Sequence, residues 1–198
     1  MGTPKGLLSY KNSYWLLAQI AAFKTGKTII IGLGYDFQLY FNAIPWLKDA
    51  VKNPQIYNGK KVQVVINQTP EFGLFSTLQV VLKVLITKIE SDSTSTGSDI
   101  LVLPVDVPLL NTSELEKIIE TENTVVIPNY HQKNGHPAKL SADFWIKLLA
   151  IPANDKEARL DTQIKKLPKH LISIVHINDK NSVQNLNTPE SWGNFISN

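Results

Sequence analysis

Short runs of apolar residues recur along the chain with the length and β-branched composition of buried strands. They predict strands over residues 28–33, 61–66, 100–105, 124–128 and 172–177. Between these runs the apolar positions repeat at helical spacing, which predicts helices over residues 14–24, 43–51, from Ser76 onward, over 112–120 and 144–150, and within 154–164. Strands that alternate with helices are typical of βαβ units, so we expect an α/β fold with three layers and a mostly parallel sheet.

Capping residues mark several of the predicted helix ends. Gly26 closes the first helix as a C-cap, and Ser76 has the side chain of a helix N-cap. Near the end of the chain, Thr188 caps a short helix that has Pro189 at its first position. These signals predict where the helices begin and end.

The overall composition narrows the class of protein. The 198 residues are 43% hydrophobic and 19% charged, with a net charge of +3, which predicts one domain over residues 1–198 and does not suggest a nucleic-acid binder. The chain has no cysteine, so it has no disulfide framework, thiolate metal site or cysteine nucleophile. No apolar run approaches the roughly 20 residues that span a bilayer, and the first residues lack a signal-peptide pattern. We therefore expect a cytoplasmic protein with no membrane partner.

The most distinctive segment is residues 98–110, SDILVLPVDVPLL, in which an unbroken apolar run ends in one carboxylate, Asp106, followed closely by Pro108. Such a run is typical of a strand buried on both faces, as in a parallel sheet. Open α/β folds bind their ligands at the carboxyl edge of the sheet, which makes Asp106 the first candidate for a functional residue. The alternative is that Asp106 only caps the turn into the helix over 112–120.

Three further segments carry candidate chemistry, and each also has a simpler structural explanation. Lys5 lies on a glycine- and proline-containing loop, where it serves either as a charge for phosphate oxygens or as an ordinary solvated lysine. Ser76 suits phosphate binding at a helix N-terminus, but it serves equally well as a cap alone. His131 and His136 lie in a loop with no helix to align them, so we expect no zinc pair, and the Gly-His-Pro step at His136 indicates a fixed turn.

Taken in this order, the segments resemble the MobA-like nucleotidyltransferases, and especially the molybdenum-cofactor cytidylyltransferases. The resemblance runs from Gly2 to about Trp192. Its motifs are a Met-Gly-x-Pro-Lys step, an Asn, Gly and Ser set after the strand over 61–66, an Asp-x-Pro motif, a Gly-His-Pro turn, and a closing Asn-x-Asn-Thr-Pro-Glu. The matching residues are Met1, Gly2, Pro4 and Lys5; Asn67, Gly73 and Ser76; Asp106 and Pro108; Gly135, His136 and Pro137; and Asn185, Asn187, Thr188, Pro189 and Glu190.

The resemblance implies a Rossmann-like fold of the nucleotide-diphospho-sugar transferase type. It implies transfer of a nucleoside monophosphate from CTP or GTP to a phosphate or hydroxyl oxygen of a small phosphorylated acceptor, with release of pyrophosphate and with Mg²⁺ as cofactor. Such a transfer depends on positioning and on neutralising charge. The implied catalytic residues are therefore Lys5 and Asp106.

The resemblance also implies a role for each matching residue. The nucleotide side would consist of Gly2, Pro4 and Lys5 at the phosphates, and of Asn67, Gly73 and Ser76 near the base and ribose. The metal side would consist of Asp106 and Asn187, and the acceptor side of Gly135, His136 and Pro137. The sequence leaves the choice between CTP and GTP, the identity of the acceptor and the oligomeric state open.

The chain departs from the family pattern at its start. The family begins with a strand and a Leu-Ala-Ala-Gly-x-Ser-x-Arg loop before the Met-Gly step, whereas here Met1 lies inside that signature. We therefore expect a sheet without its first, central strand, in which the strand over 28–33 either pairs directly with the strand over 100–105 or leaves backbone groups unpaired. The alternative function is accordingly an inactive nucleotide-binding or regulatory homologue. A nucleotide-sugar-dependent glycosyltransferase is a third candidate, but it would favour an Asp-x-Asp motif, which the Asp106 segment lacks.

Overall fold

A computed structural model of the chain describes residues 2–24, 28–91 and 97–197. The predicted C-cap Gly26 and Met1 of the Met-Gly step lie outside the described residues. The helices are α1 (Trp15–Ala22), α2 (Phe37–Ala43), α3 (Trp46–Lys52), α4 (Gly73–Ser91), α5 (Thr112–Glu120), α6 (Ala142–Trp145), α7 (Leu160–Lys165) and α8 (Pro189–Ile196). Short 3₁₀ helices lie at Lys5–Leu7, Pro70–Phe72, Ile146–Ala150, Lys169–Leu171 and Lys180–Val183.

In the described part of the chain, the strands form two separate larger sheets and one small hairpin. The strands are β1 (Ser9–Tyr10), β2 (Ser13–Tyr14), β3 (Thr28–Leu33), β4 (Gln55–Tyr57), β5 (Lys60–Ile66), β6 (Ile100–Val102), β7 (Val125–Tyr130), β8 (Lys133–Asn134), β9 (Ala138–Leu140) and β10 (Ile172–His176). The first sheet has the order β3-β5-β4, and the second has the order β10-β7-β9-β6 with β8 on β7. The fold is thus mixed α/β with helices against both faces of the sheets, as the alternating pattern predicts. Of the described strand pairs in these two sheets, β3–β5 and β10–β7 are parallel and the others are antiparallel, so the expected mostly parallel single sheet is replaced by two sheets of mixed direction.

The first sheet is covered by α1, α2 and α3 on one face and by α4 on the other. Strands β3 and β5 run parallel, and Val62 and Val64 of β5 are fully buried in a cluster with apolar residues of these three helices. On the opposite face, a Cβ atom at Gly32 would lie 2.6 Å from the Thr77 side chain of α4. Because no side chain fits there, glycine at this position permits α4 to pack closely on β3.

Successive side chains along β7 in the second sheet point alternately into two apolar clusters, because both faces of the sheet are covered. Val125 and Val126 are both fully buried. Val125 faces the cluster that contains Phe75 and Leu82 of α4, whereas Val126 faces the cluster that contains residues of α5. The sheet is therefore the central layer of three. Helix α4 contacts both sheets and connects the two halves of the fold.

The strand predicted over residues 100–105 is shorter than its apolar run, and it does not have the parallel neighbours that the run predicts. It ends at Val102, and its residues are only partly buried. Its partner is antiparallel β9, in a segment whose low apolar content does not predict a strand. Lys139 makes this segment look exposed in the sequence, because lysine is usually a surface residue. In the structure its ammonium is buried and donates to the backbone carbonyls of Ile119 and Thr121. The apolar run therefore indicates a strand correctly, but not its parallel surroundings.

Helix boundaries differ from the predictions where a turn precedes the helix. Helix α4 begins at Gly73 after a 3₁₀ turn, so Ser76 lies inside its first turn and is not the N-cap. The helix predicted over 43–51 corresponds to α3, which begins at Trp46 after Pro45, and the preceding helix α2 is one that the pattern does not predict. By contrast, the cap at Thr188 is confirmed, because its hydroxyl accepts from the Ser191 amide in a capping box and Pro189 stands at the first position.

The expectation of direct pairing between the strand over 28–33 and the strand over 100–105 is wrong. β3 and β6 lie in different sheets, and within residues 2–24, 28–91 and 97–197 each of them forms an edge with one partner strand. On its outer edge each of these strands lacks a partner strand among the described residues, which agrees with the alternative expectation. Apolar residues on these edges, such as Ile30 and Leu101, are accordingly only partly buried.

Helix α4 also has the length and composition of a membrane-spanning helix. The window Pro70–Thr87 has a mean hydropathy of 1.3 over 18 residues, and it is the one such window in the described part of the chain. In this structure Phe75 and Leu82 of the same helix lie in the core beneath the second sheet.

Candidate functional site

Three distant segments of the chain meet at the side chains of Lys5, Asp106 and Asn187. The Lys5 ammonium donates to Asp106 Oδ2 at 2.9 Å, and it also donates to Asn187 Oδ1. The side chains of Lys5 and Asp106 retain 36% and 19% of their exposure, so a ligand in solution can reach them. We name these three residues the charged cluster. The structure thus brings together the predicted phosphate-binding lysine and both predicted metal ligands.

Lys5 is held in place by the short 3₁₀ helix that contains it. The Leu7 amide donates to the Pro4 carbonyl, and the Gly6 amide donates to the Tyr40 hydroxyl at 3.2 Å. A Cβ atom at Gly6 would lie 2.8 Å from that hydroxyl, so only glycine fits between Lys5 and the core. Burial raises the pKa of Tyr40, with a smaller contribution from Asp36, so the phenol remains protonated and neutral around neutral pH.

Asp106 is positioned by α1, whose polar side chains hold the backbone on both sides of it. The Trp15 indole donates to the Val105 carbonyl at 2.6 Å. The Gln19 amide donates to the Val107 carbonyl at 2.7 Å and accepts from the Leu109 amide at 3.0 Å. These bonds satisfy backbone groups beside Pro108 that a sheet would otherwise pair. The loop therefore presents Asp106 in a defined direction.

Asn187 reaches the cluster because its segment is hydrogen-bonded to the Asp106 backbone. The Leu186 amide donates to the Asp106 carbonyl at 2.8 Å, and the capping box at Thr188 begins α8 immediately afterwards. A ring cluster then fixes α8, since Trp192 and Phe195 pack against Trp15 at centroid distances of 5.4 and 5.2 Å. Because Trp15 also holds Val105, the same helix α1 orders both Asp106 and the Asn187 segment.

The oxygen atoms of the charged cluster fit a hard divalent cation. Asp106 Oδ2 and Asn187 Oδ1 both accept from the Lys5 ammonium, so they converge on a common point, and a cation would take that point only when Lys5 turns toward another anion such as a phosphate. Carboxylate and amide oxygens are ligands that Mg²⁺ accepts, with water and substrate phosphate completing its coordination. No group of three or more His, Asp or Glu side chains suited to a metal occurs in the described residues. The chain thus offers two oxygen ligands here rather than an all-protein cage.

The Gly-His-Pro turn lies close to the charged cluster. The Gly135 amide donates to the Pro128 carbonyl, and the His136 amide donates to the Ser182 carbonyl at 2.8 Å. A Cβ atom at Gly135 would lie 2.3 Å from that same carbonyl oxygen, which explains the glycine. Burial lowers the pKa of His136, although the Asp106 charge and the Val102 carbonyl oppose the shift. His136 Nδ1 is buried and has no hydrogen-bond partner among the described residues. His131 lies apart on an exposed turn.

Asn67 and Ser76 form a second polar group, which we name the amide cluster. The Asn67 amide donates to Ser76 Oγ at 2.8 Å and to Thr77 Oγ1 at 2.9 Å, while its oxygen accepts from the Thr69 amide. Asn67 and Ser76 are only 3% and 2% exposed. Gly73 turns the chain between them with a φ of +83°. These side chains join the end of β5 to the start of α4, and their nucleotide-binding role stays a prediction.

Gly2 and Pro4 line an open cleft next to Lys5. The cleft has a volume of about 460 Å³, and its opposite wall is formed by Leu39, Asn42 and Ala43 of α2. We name it the N-terminal cleft. Gly2 has a positive φ of +67°, which glycine adopts without strain. The predicted phosphate-binding segment, which runs from Gly2 to Lys5, therefore borders open space.

Sequence reasoning missed three residues that position the site, Trp15, Gln19 and Tyr40. Gln19 is the one amide within the otherwise apolar residues of α1, and it is buried. A lone polar side chain on a buried helix face must find a hydrogen-bond partner, so this position carries a signal. Tyr40 is one of several aromatic residues in the pattern of α2, and nothing local distinguishes it.

A family model decides the classification. The model of the MobA-like NTP transferase domain matches residues 1–169, which is most of the chain. The chain belongs to the MobA-like NTP transferase family. Membership confirms the resemblance drawn from the motifs and places the protein in the nucleotidyltransferase class, with a nucleoside triphosphate as the substrate type. A comparison with curated protein sequences yields no match.

Solved structures of similar fold agree with the family. Rv0371c from Mycobacterium tuberculosis H37Rv, in complex with manganese, has a TM-score of 0.64 at 18% identity over 100% of this chain and 94% of that one. A nucleotidyl transferase from Methanothermobacter thermautotrophicus has a TM-score of 0.64 at 15% identity over 98% and 83%. Molybdopterin-guanine dinucleotide biosynthesis protein A from Archaeoglobus fulgidus has a TM-score of 0.57 at 13% identity over 99% and 90%. These likenesses confirm the Rossmann-like nucleotidyltransferase fold.

Proposed function

We propose that this protein transfers a nucleoside monophosphate from CTP or GTP to an oxygen of a small phosphorylated acceptor. In this reaction the acceptor oxygen attacks the α-phosphorus, a new P–O bond forms, and the bond to the leaving pyrophosphate breaks. If the attacking oxygen belongs to a phosphate dianion, no proton has to be removed. The reaction therefore needs charge neutralisation and alignment rather than a covalent nucleophile.

The observation that carries the proposal is the convergence of Lys5, Asp106 and Asn187. Asp106 and Asn187 lie 101 and 182 positions after Lys5 in the sequence, yet both side chains contact its ammonium group. The N-terminal cleft opens next to Lys5, so a triphosphate lying along Gly2 and Pro4 would bring its negative charge to that ammonium. The His136 turn lies on the Asp106 side and would face the acceptor.

Asp106 and Asn187 would hold Mg²⁺ in this proposal. The bound cation would neutralise phosphate oxygens during transfer. Crystallisation of Rv0371c with manganese supports a divalent cation in this fold, and the two oxygen ligands suit Mg²⁺ equally well. Because the chain has no cysteine, which suits a reducing compartment, we further propose that it acts in the cytoplasm.

Calorimetric titration of the whole chain with CTP and then GTP, in the presence of Mg²⁺, tests the proposal. We expect binding of one nucleotide, and we expect Asp106→Ala to weaken it at least about 100-fold, since the variant loses a charged metal ligand. Asp161→Ala is the matched control, because Asp161 is an exposed carboxylate paired with Arg159. Equal affinity in Asp106→Ala and the parent chain would contradict the metal role.

Release of pyrophosphate separates the enzyme from an inactive homologue. The alternative function is favoured by one observation: among the described residues, β3 and β6 each lie at the edge of a separate sheet and have one partner strand. We expect pyrophosphate release that depends on Mg²⁺ and on an added acceptor phosphate. Tight nucleotide binding without any release across a panel of phosphomonoesters would show a nucleotide-binding module instead.

A further inference from the structure

The Lys5 ammonium and a divalent cation compete for the same oxygen atoms of the charged cluster. The ammonium donates to Asp106 Oδ2 at 2.9 Å and to Asn187 Oδ1, which are the two oxygens that suit Mg²⁺. An oxygen lone pair that accepts from an ammonium is not free to coordinate a metal. Two positive groups held at one point also repel each other. The arrangement of these three side chains is therefore one that excludes a metal ion.

The charges of the cluster balance without a metal. Asp106 carries one negative charge and Lys5 one positive charge, while the Asn187 amide is neutral. His136 is close enough for its charge to interact with that of Asp106, but burial lowers its pKa, so its ring is neutral around neutral pH. Among the described residues, Lys5 is accordingly the cation that pairs with Asp106. A divalent cation, which gives up its water reluctantly, gains little from a site without net charge.

The backbone at Lys5 is fixed, whereas its ammonium is free to turn. The Leu7 amide donates to the Pro4 carbonyl at 2.8 Å, and the Gly6 amide donates to the Tyr40 hydroxyl at 3.2 Å. The Lys5 side chain itself retains 36% of its exposure, and its four-carbon stem is flexible. The ammonium can therefore leave Asp106 by rotation of its own side chain, without any change in the fold.

The N-terminal cleft gives the ammonium a second anion to contact. Gly2, Thr3 and Pro4 line this cleft and directly precede Lys5 in the chain. In the proposed function the cleft receives the triphosphate, which carries several negative charges against the single charge of Asp106. The ammonium is therefore attracted more strongly to the phosphates than to the carboxylate. Once it contacts phosphate, the oxygens of Asp106 and Asn187 are released for a cation.

We infer that Lys5 excludes a divalent cation from the Asp106 and Asn187 oxygens until the phosphates of a nucleotide bind its ammonium. Metal and nucleotide then bind with positive coupling, so each raises the affinity of the protein for the other. The inference rests on the proposed function for the identity of the nucleotide. The exclusion of the metal by Lys5, however, is measurable with no nucleotide present.

The first test is an NMR titration of the ¹⁵N-labelled 198-residue chain with Mn²⁺ alone, because a bound paramagnetic ion broadens the amide signals of nearby residues. Lys5→Met keeps the length of the side chain and removes the ammonium. We expect Mn²⁺ to broaden the amides of residues 105–107 and 186–188 in Lys5→Met at a concentration at least about tenfold lower than in the parent chain. The signals of the remaining residues show in the same spectra that the variant is folded. The double variant Lys5→Met/Asp106→Asn should lose the gain, since the freed carboxylate is gone.

Lys117→Met is the matched control for this titration. Lys117 donates to Glu114 Oε2 at 2.9 Å, the same distance as in the pair of Lys5 and Asp106, so this variant also frees a carboxylate from a lysine. It also removes one positive charge, as Lys5→Met does. We expect its Mn²⁺ titration to match that of the parent chain. An equal gain in Lys117→Met, or no gain in Lys5→Met, would overturn the inference.

The second test adds CTP or GTP while the concentration of free Mn²⁺ is held constant. In the parent chain we expect the nucleotide that binds to produce the broadening at residues 105–107 and 186–188 that Mn²⁺ alone does not produce. In Lys5→Met we expect the broadening at the same free Mn²⁺ with or without nucleotide. Equal broadening of the parent chain before and after a nucleotide binds would contradict the coupling.

The two tests separate this inference from the proposed function. If CTP or GTP binds the parent chain through Asp106 but Lys5→Met gains no affinity for Mn²⁺, only the inference is overturned. If Lys5→Met gains affinity for Mn²⁺ but neither nucleotide binds the parent chain, the exclusion of metal by Lys5 stands and the proposed function does not.

Discussion

Asp106 of the charged cluster and Asn67 of the amide cluster each follow a strand of a sheet, yet the surroundings of the two clusters differ. Lys5, Asp106 and Asn187 come from segments that are far apart in sequence, and they remain partly exposed with unused capacity for a ligand. Asn67 and Ser76 are nine positions apart, almost fully buried, and bonded to each other and to their own loop. The comparison teaches that polar residues that follow strands have one of two roles, ligand binding or support of the fold. The degree of burial and the number of hydrogen bonds within the protein distinguish these roles.

The largest expected effect tests the scaffold side of this comparison. Asn67→Ala removes a buried amide that makes several hydrogen bonds and leaves Ser76 and Thr69 groups without partners. We expect the free energy of unfolding to fall by about 3 kcal/mol in urea denaturation. Gln55→Ala is the control, because Gln55 makes one exposed bond to the Asn53 carbonyl. A change below about 0.5 kcal/mol at Asn67 would remove the distinction between the two clusters.

Gln19→Leu tests whether the hydrogen bonds from α1 to the Asp106 loop hold the charged cluster in place. The variant leaves the Val107 carbonyl and the Leu109 amide buried without partners. We expect about 2 kcal/mol of lost stability, together with weaker nucleotide binding because the Asp106 loop is no longer held. Gln19→Glu should restore only the accepted bond from Leu109. Full nucleotide affinity in Gln19→Leu would show that Asp106 does not depend on α1.

Lys5→Gln tests the chemical side of the comparison. Removing the charge should weaken binding of the nucleotide about tenfold, or about 1.4 kcal/mol, with little change in the free energy of unfolding. Affinity is measured by calorimetry at two salt concentrations, and the difference between variant and parent should shrink at high salt. Lys117→Gln is the matched control, since Lys117 pairs with Glu114 at a similar distance of 2.9 Å. A large loss of stability in Lys5→Gln would make the charged cluster a scaffold as well.

The smallest expected effect is the pH dependence at His136. Burial lowers its pKa in the folded chain below the ordinary value of 6.5, so the unfolded chain binds the proton more tightly. Stability should therefore fall as the pH drops from about 6.5 through the lowered pKa, with a slope below about 1.4 kcal/mol per pH unit, the limit for one proton. His136→Gln should flatten this part of the profile, whereas the exposed His170→Gln should not. If the stability of His136→Gln depends on pH as that of the parent chain does, a group other than His136 causes the slope.

The sequence predicts most elements of this fold because each has a local cause. The apolar runs of β3, β5, β7 and β10 and the Thr188-Pro189 cap depend on neighbouring residues only, so they are visible along the chain. Strand β9 is hidden because the burial of Lys139 depends on distant carbonyl groups of Ile119 and Thr121. The start of α4 is misplaced because Ser76 Oγ accepts from the Asn67 side chain and donates to the Gly73 carbonyl, whereas an N-cap hydroxyl would accept from a backbone amide of the helix.

The same division holds for the site. The residue types at Lys5, Asp106 and Asn187, and their order in family motifs, are properties of the sequence, and they determine the nucleotidyltransferase family. The tertiary structure alone decides that these three side chains meet, that Gln19 and Tyr40 hold their segments, and that the N-terminal cleft opens next to Lys5. Contacts between segments so distant depend on the packing of α1 and α8 against the sheets, which no local pattern specifies.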